Sequence, residues 1–121
     1  MEKNLTPREL ALDLLNRSSC NVQVAAVLSD NHGIFAWGWN HNPTNPNRIK
    51  GVHAEAHAII RSNKKRLSNA VLTVAARRKK SGSQLLARPC EHCMSIIKNN
   101  RIKRVDYTTK DPSWEVLLFE Y

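Results

Sequence analysis

Three residues within "GVHAEAHAII", His53, Glu55 and His57, and two within "PCEHC", Cys90 and Cys93, are of the types that hold metals or move protons. Their spacing permits two groupings. In the first, His53 and His57 share one helix face and join the C-x-x-C pair to close a tetrahedron around zinc, a structural site with no open position. In the second, His53, Cys90 and Cys93 hold the zinc and leave its fourth position for water. A metal held that way lowers the water's pKa toward roughly 7 and supplies a hydroxide nucleophile. Glu55 is incidental to the first arrangement. In the second it is a carboxylate outside the metal shell, able to take the water's proton and pass it to the group under attack. Helix periodicity favours the first grouping, because residues two apart point to nearly opposite sides. That preference weakens at an N-cap, where the backbone need not be helical, and Gly51 with the loop before it places His53 there.

The elements that must position these residues follow from local signals. Thr6 and Pro7 start an amphipathic helix, "RELALDLLNRS", with Leu10 and Leu14 on one face. "NVQVAAVLSD" and "IFAWGWN" read as strands joined by a turn over Asp30 to Gly33, a hairpin. "HNPTNPNRIKG" is a loop, since its prolines and asparagines suit no regular element. "VHAEAHAIIRSNKKRL" has helical period and "VLTVAA" is a buried strand. "RRKKSGSQLLA" is a basic excursion around Ser81 and Gly82. Pro89 restarts a helix, "CEHCMSIIKNN", with Met94 and Ile97 inward, and "IKRVDYTT" and "WEVLLFEY" are the last strands. Only "KDPS" separates that final pair, too short for a crossover helix, so they should form an antiparallel hairpin. The order predicts an α/β fold, a mixed sheet covered by helices. Both ligand clusters fall at helix starts, where backbone N–H dipoles favour thiolate and anionic groups.

Composition narrows the setting. A chain of 121 residues, 41% hydrophobic and 24% charged, is expected to be a single domain over 1–121. No apolar run approaches the roughly 20 residues of a membrane span, and "MEKNLTPREL" lacks the core of a signal peptide. The expectation is a cytoplasmic protein with no membrane partner, and its cysteines, Cys20, Cys90 and Cys93, should be reduced. The net charge of +9 is unevenly spread: from Arg48 to Lys110, 16 basic residues face three acids, a local +13. Such a field attracts polyanions if it lies on one face, and is a solvated surface if it does not.

"HAE" followed by a strand and "PCEHC" resembles the H-x-E and P-C-x-x-C pair of the zinc-dependent nucleobase deaminases, the cytidine deaminase-like superfamily. The order of elements resembles theirs from about Asn21 to the end. The resemblance implies a three-layer α-β-α, cytidine deaminase-like fold with a five-stranded mixed sheet. It also implies Zn2+ as cofactor, His53, Cys90 and Cys93 as its ligands, and Glu55 as the catalytic proton shuttle. His57 falls on a position with no ligand role there, which leaves it a packing or hydrogen-bonding histidine. His92, between the cysteines, is expected to face solvent or a substrate phosphate.

The implied chemistry is hydrolytic attack on C4 of cytosine or C6 of adenine with release of ammonia. Gly38, Trp39 and Asn40 resemble the segment preceding the H-A-E loop in tRNA adenosine deaminases, where the asparagine contacts substrate. Trp37 and Trp39 share a strand face, as core residues or as a stacking platform for a base. Free-nucleoside cytidine deaminases carry Asn-x-Glu at this strand end, with the acid gripping sugar hydroxyls, and usually cysteine as first ligand. This chain has Asn40 and Asn42 there and His53 as ligand, a pattern similar to deaminases of nucleotides and polynucleotides. A terminal antiparallel hairpin resembles the cytidine deaminase and bacterial toxin-like branch, whereas tRNA adenosine deaminases and vertebrate polynucleotide cytidine deaminases have a helix and a parallel last strand there. The expected activity is therefore cytosine deamination in single-stranded DNA or RNA, with Trp39, Asn40, Asn42 and His92 as substrate contacts. The alternatives are deamination of free cytidine nucleotides or nucleosides, deamination of adenosine in tRNA, and a zinc-stapled nucleic-acid-binding module. Relatives are often multimeric, so a homo-oligomer is a further expectation.

Overall fold

The computed structural model describes residues 5–42 and 51–121. Most of the loop expected over 41–51 therefore lies outside the described residues. Helix α1, Pro7–Leu14, begins at Thr6, whose hydroxyl accepts from the Glu9 amide while the Glu9 carboxylate accepts from the Thr6 amide. This reciprocal capping box satisfies two of the donors that a helix start leaves open. Strands β1, Val22–Asp30, and β2, Gly33–Trp39, form the expected hairpin. Helix α2 spans Ala54–Arg61, β3 Val71–Arg78, α3 Glu91–Asn99, β4 Arg104–Thr108 and β5 Trp114–Leu118.

The five strands make one mixed sheet in the order β2-β1-β3-β4-β5. Only β3 and β4 run parallel; β4 and β5 pair antiparallel through Asp106↔Val116 and its neighbours, as the short "KDPS" link requires. On one face α1 packs through Ala11 and Leu14 against Ala25, Val27 and Ala75. On the other, α2 and α3 bury Ala58, Ile59 and Ile97 against Ala26, Leu28, Val74 and Val105. Period-2 alternation in β1 and β3 thus feeds two cores, and three layers result. No helix among the described residues is long and apolar enough to cross a membrane.

Several boundaries differ from the sequence reading: α1 gives way to a 3-10 turn over Leu15–Arg17, β5 ends at Leu118, and two others lie nearer the site. The second helix does not continue to Leu67: Ser62 is extended, its amide and hydroxyl both donate to the Ile59 carbonyl, and Asn63 caps a separate 3-10 turn over Lys64–Arg66. Strand β3 runs two residues beyond Ala76, because Arg77 and Arg78 stay in register with Gln23 and Val22 of β1.

Gly38 sets the seat of α2. A Cβ there would lie 2.5 Å from the Ala58 nitrogen and 2.9 Å from the Ala54 oxygen, so only glycine lets the helix approach β2 this closely. That contact brings the first turn of α2 to the end of the sheet where β3 finishes.

Candidate active site

His53 and Cys90 are the N-cap residues of α2 and α3, each with extended backbone angles. Cys93 lies in the first turn of α3 and is fully buried. The two helix starts converge, and His53 Nδ1 is 3.2 Å from Cys93 Sγ and 3.7 Å from Cys90 Sγ. The ligand atoms of His53, Cys90 and Cys93 all lie within 4.8 Å of one another. One imidazole nitrogen and two sulfurs at this spacing suit zinc, and three protein ligands leave the ion a fourth position. Burial pushes the Cys93 thiol well above the ordinary range, and the Glu55 carboxyl and Cys90 sulfur push it the same way. A bound cation would reverse that balance, since a coordinating thiol is deprotonated.

Glu55, on the first turn of α2, is 6% exposed. Burial raises its carboxyl above the usual carboxylate range; its own amide, the His53 imidazole and a hydrogen bond from the Cys93 thiol act against that rise. It has no Lys or Arg partner among the described ion pairs.

His57 belongs elsewhere. It accepts at Nδ1 from the Trp39 amide at 3.1 Å and packs edge-on against the Trp39 ring. Because β2 is an edge strand, this imidazole caps a backbone group the sheet leaves unpaired. The four-ligand grouping is not assembled here: among the described residues the possible metal ligands form a cluster of three, without His57.

Beside the cluster is a cavity of about 370 Å³. It brings together the expected residues Asn40, Asn42, His53, Glu55 and Cys90, walled by Val22, Val24, Ala76 and Leu85. Two expected contacts do not line it. Trp39 is on the face of β2 toward α1, between the guanidinium groups of Arg17 and Arg61, each 5.4 Å from its ring. Trp37 shares that face and is 37% exposed. His92 is exposed, its ring 6.3 Å from that of His53. The Asn40 amide is largely engaged within the protein: its oxygen accepts from Ser18 Oγ (2.6 Å) and the Val24 amide (2.9 Å), and one of its two N–H groups donates to the Val22 carbonyl (2.8 Å).

Among the cavity residues with polar or ionisable side chains, Cys20, His41 and Arg88 were not assigned to a site from sequence. His41 pairs with Val52 through two backbone hydrogen bonds and so anchors the arm that carries His53. Arg88 stands at the rim, exposed, with one donor on the Tyr107 hydroxyl at 3.3 Å. Its place two residues before Cys90 was the one available signal; nothing local marks Cys20 or His41.

The family model described as the cytidine and deoxycytidylate deaminase zinc-binding region matches residues 1–109. The fold is similar to that of a cytidine deaminase from Burkholderia pseudomallei, with TM-score 0.69 and 18% identity over 93% of this chain and 89% of that one. It is also similar to the dCMP deaminase of cyanophage S-TIM5, at TM-score 0.56 and 20% identity over 84% and 82% of the two chains. A cytidine deaminase from Mycobacterium leprae aligns at TM-score 0.55 and 16% identity over 90% and 88%. No curated protein matches the chain.

Proposed function

Because the chain belongs to the zinc-binding cytidine and deoxycytidylate deaminases, we propose that it hydrolyses the amino group of cytosine in a phosphate-bearing substrate, foremost a single-stranded nucleic acid. In this reading His53, Cys90 and Cys93 hold the zinc, which when bound supplies an activated water. The carboxylate of Glu55 accepts a proton from that water, delivers it to N3 of the ring, and then serves the amine leaving C4. Cytosine and water become uracil and ammonia. The observation that carries the reading is Glu55 itself, a buried carboxylate with no described ion-pair partner, lining a cavity next to a three-ligand cluster.

Cytosine rather than adenine is supported by the antiparallel β4–β5 pair, which resembles the cytidine branch of the superfamily. A phosphate on the substrate is supported by three features. Asn42 stands where nucleoside deaminases carry an acid, Glu55 is the only carboxylate among the described cavity-lining residues, and Arg88 sits at the rim. Asn40 and Asn42 border the space a sugar would take. A free cytidine nucleotide is the second reading, favoured by the same Arg88 and by the likeness to a dCMP deaminase whose structure was solved with dCMP and dUMP.

The test is turnover by the zinc-loaded protein and its Glu55→Gln variant on single-stranded DNA, single-stranded RNA, tRNA, dCMP and cytidine, with uracil and hypoxanthine measured. Uracil from the oligonucleotides, absent with the variant, is expected. Turnover of cytidine alone would overturn the phosphate requirement, and hypoxanthine would overturn the choice of base.

A further inference from the structure

Past the cavity, β3 turns back on itself. The Arg78 amide donates to the Ser83 carbonyl, the Gly82 amide to the Arg78 carbonyl, and the Leu85 amide to the Ala76 carbonyl. Gly82 takes a positive φ of 74°, and the Ser81 hydroxyl accepts from the Ser83 amide. Two further ties hold the turn from outside: the Lys79 amide donates to Asn21, and the Gln84 side chain donates to the Thr109 carbonyl. The returning arm carries Leu85, Leu86 and Ala87, all of which line the cavity. The wall of the site and this turn are one piece of chain.

At its tip are Arg78, Lys79 and Lys80, three consecutive exposed cations that form no ion pair among the described residues. Val22 and Arg78 are directly opposed in the β1–β3 ladder, and so are Val24 and Ala76. Opposed residues share a sheet face, and Val22, Val24 and Ala76 line the cavity. Arg78 therefore stands on the cavity face, two residues beyond Ala76, roughly 7 Å along the strand. Among the described residues Arg88 also stands at the cavity, at its rim, whereas several other cations of the basic middle are engaged or distant. Arg66 is paired with Asp30, Arg104 with Asp106, and Arg77 is held by Gln23 and Asn16. Lys65 and Lys103 precede the parallel strands β3 and β4, at the opposite end of the sheet.

We propose that Arg78, Lys79 and Lys80 form a docking point for the phosphates that flank a nucleotide whose base occupies the cavity. Its ligand is a single-stranded polynucleotide several residues long, and it rests on the polynucleotide reading given above. Three like charges on a braced turn repel one another when free; a phosphate backbone neutralises them and releases its own counterions. A mononucleotide has no flanking phosphate to place there.

The experiment uses the zinc-loaded full chain and a fluorescent single-stranded oligonucleotide with one central cytosine, as DNA and as RNA, with anisotropy read over a salt series. The Arg78→Ala, Lys79→Ala, Lys80→Ala triple variant is compared with a triple variant of equal charge at the far end, Lys65→Ala, Lys98→Ala, Lys103→Ala. The turn variant should lose oligonucleotide affinity at least about tenfold, and its log–log salt slope should fall by about 2, at roughly 0.7 per phosphate contact on a single strand. Any loss of dCMP turnover should be smaller by at least about tenfold. Equal losses in the two triple variants would show net charge alone at work and overturn the docking point, as would an unchanged salt slope. Wild-type protein that converts dCMP, depends on Glu55 and binds no oligonucleotide would also overturn it while leaving the deaminase standing. Zinc-loaded protein that binds the oligonucleotide but converts no cytosine substrate would instead sink the deaminase assignment and leave the binding result intact.

Discussion

Asp106 and Glu55 are both nearly sealed from solvent, at 4% and 6% exposure, yet they lie on opposite faces of the sheet in opposite surroundings. Asp106, on the α1 face, receives two hydrogen bonds from Arg8 and two from Arg104, and the Arg8 guanidinium stacks 5.0 Å over Trp114. Its charge is matched on the spot. Glu55 receives its own amide and one thiol, and burial lifts its proton affinity. A buried acid with a full set of cationic partners ties elements together; one left without them, at the edge of a cavity, is available to exchange a proton. The contrast sets a carboxylate matched by cations apart from one without them, and owes nothing to sequence motifs.

The contrast breaks most visibly at Glu55. Glu55→Gln should lower turnover of a cytosine substrate by about 10²–10⁴-fold, the usual range for losing a general acid–base, while metal analysis still finds zinc. Retained turnover would place Glu55 with Asp106 as a structural group. Asp106→Ala is the mirror experiment. It should destabilise the fold by about 2 kcal/mol, less than for a wholly buried pair because both arginines, at 40% exposure, regain water. Urea unfolding measures the loss, and zinc content should not move.

His57→Ala sharpens the comparison for the histidines. Zinc should stay bound, and the lost cap on Trp39 should cost about 1 kcal/mol in thermal or urea unfolding. Metal release on this substitution would return the site to the four-ligand grouping. The smallest effect belongs to Asp30, which is part-buried and held by the Arg66 fork at a pKa of about 2, below its ordinary 3.8. A depressed carboxyl lends stability that is whole above the unfolded pKa and lost as pH falls through the folded one. Asp30→Asn should therefore lower stability at neutral pH, flatten the acid side of the profile between pH 3.8 and about 2, and converge with the unsubstituted protein below that.

Much of this was legible along the chain because it is local. Thr6, Pro7 and Glu9 write the start of α1, "KDPS" is too short for anything but a hairpin, and the H-x-E and P-C-x-x-C pairs fall at helix starts that the glycine at 51 and the proline at 89 announce. The end of α2 was less legible, because Ser62 and Asn63 redirect the chain with side-chain hydrogen bonds that compete with a helical pattern still present in sequence. Trp39 carries a resemblance to a substrate-contact segment, yet its ring packs at the edge of β2 against His57 and Arg61, outside the cavity.

The sequence by itself determined the ligand types, the carboxylate beside them and the order of elements, since these depend on residue chemistry and on neighbours a few positions away. Only the tertiary structure decided that His57 turns to the free edge of β2, that Cys20, His41 and Arg88 join the cavity, and that Arg78 stands on the cavity face of β3. The physical reason is register: the pairing of β1 with β3 and the close seat of α2 over Gly38 bring distant segments to one place, and neither distance is written in any local period.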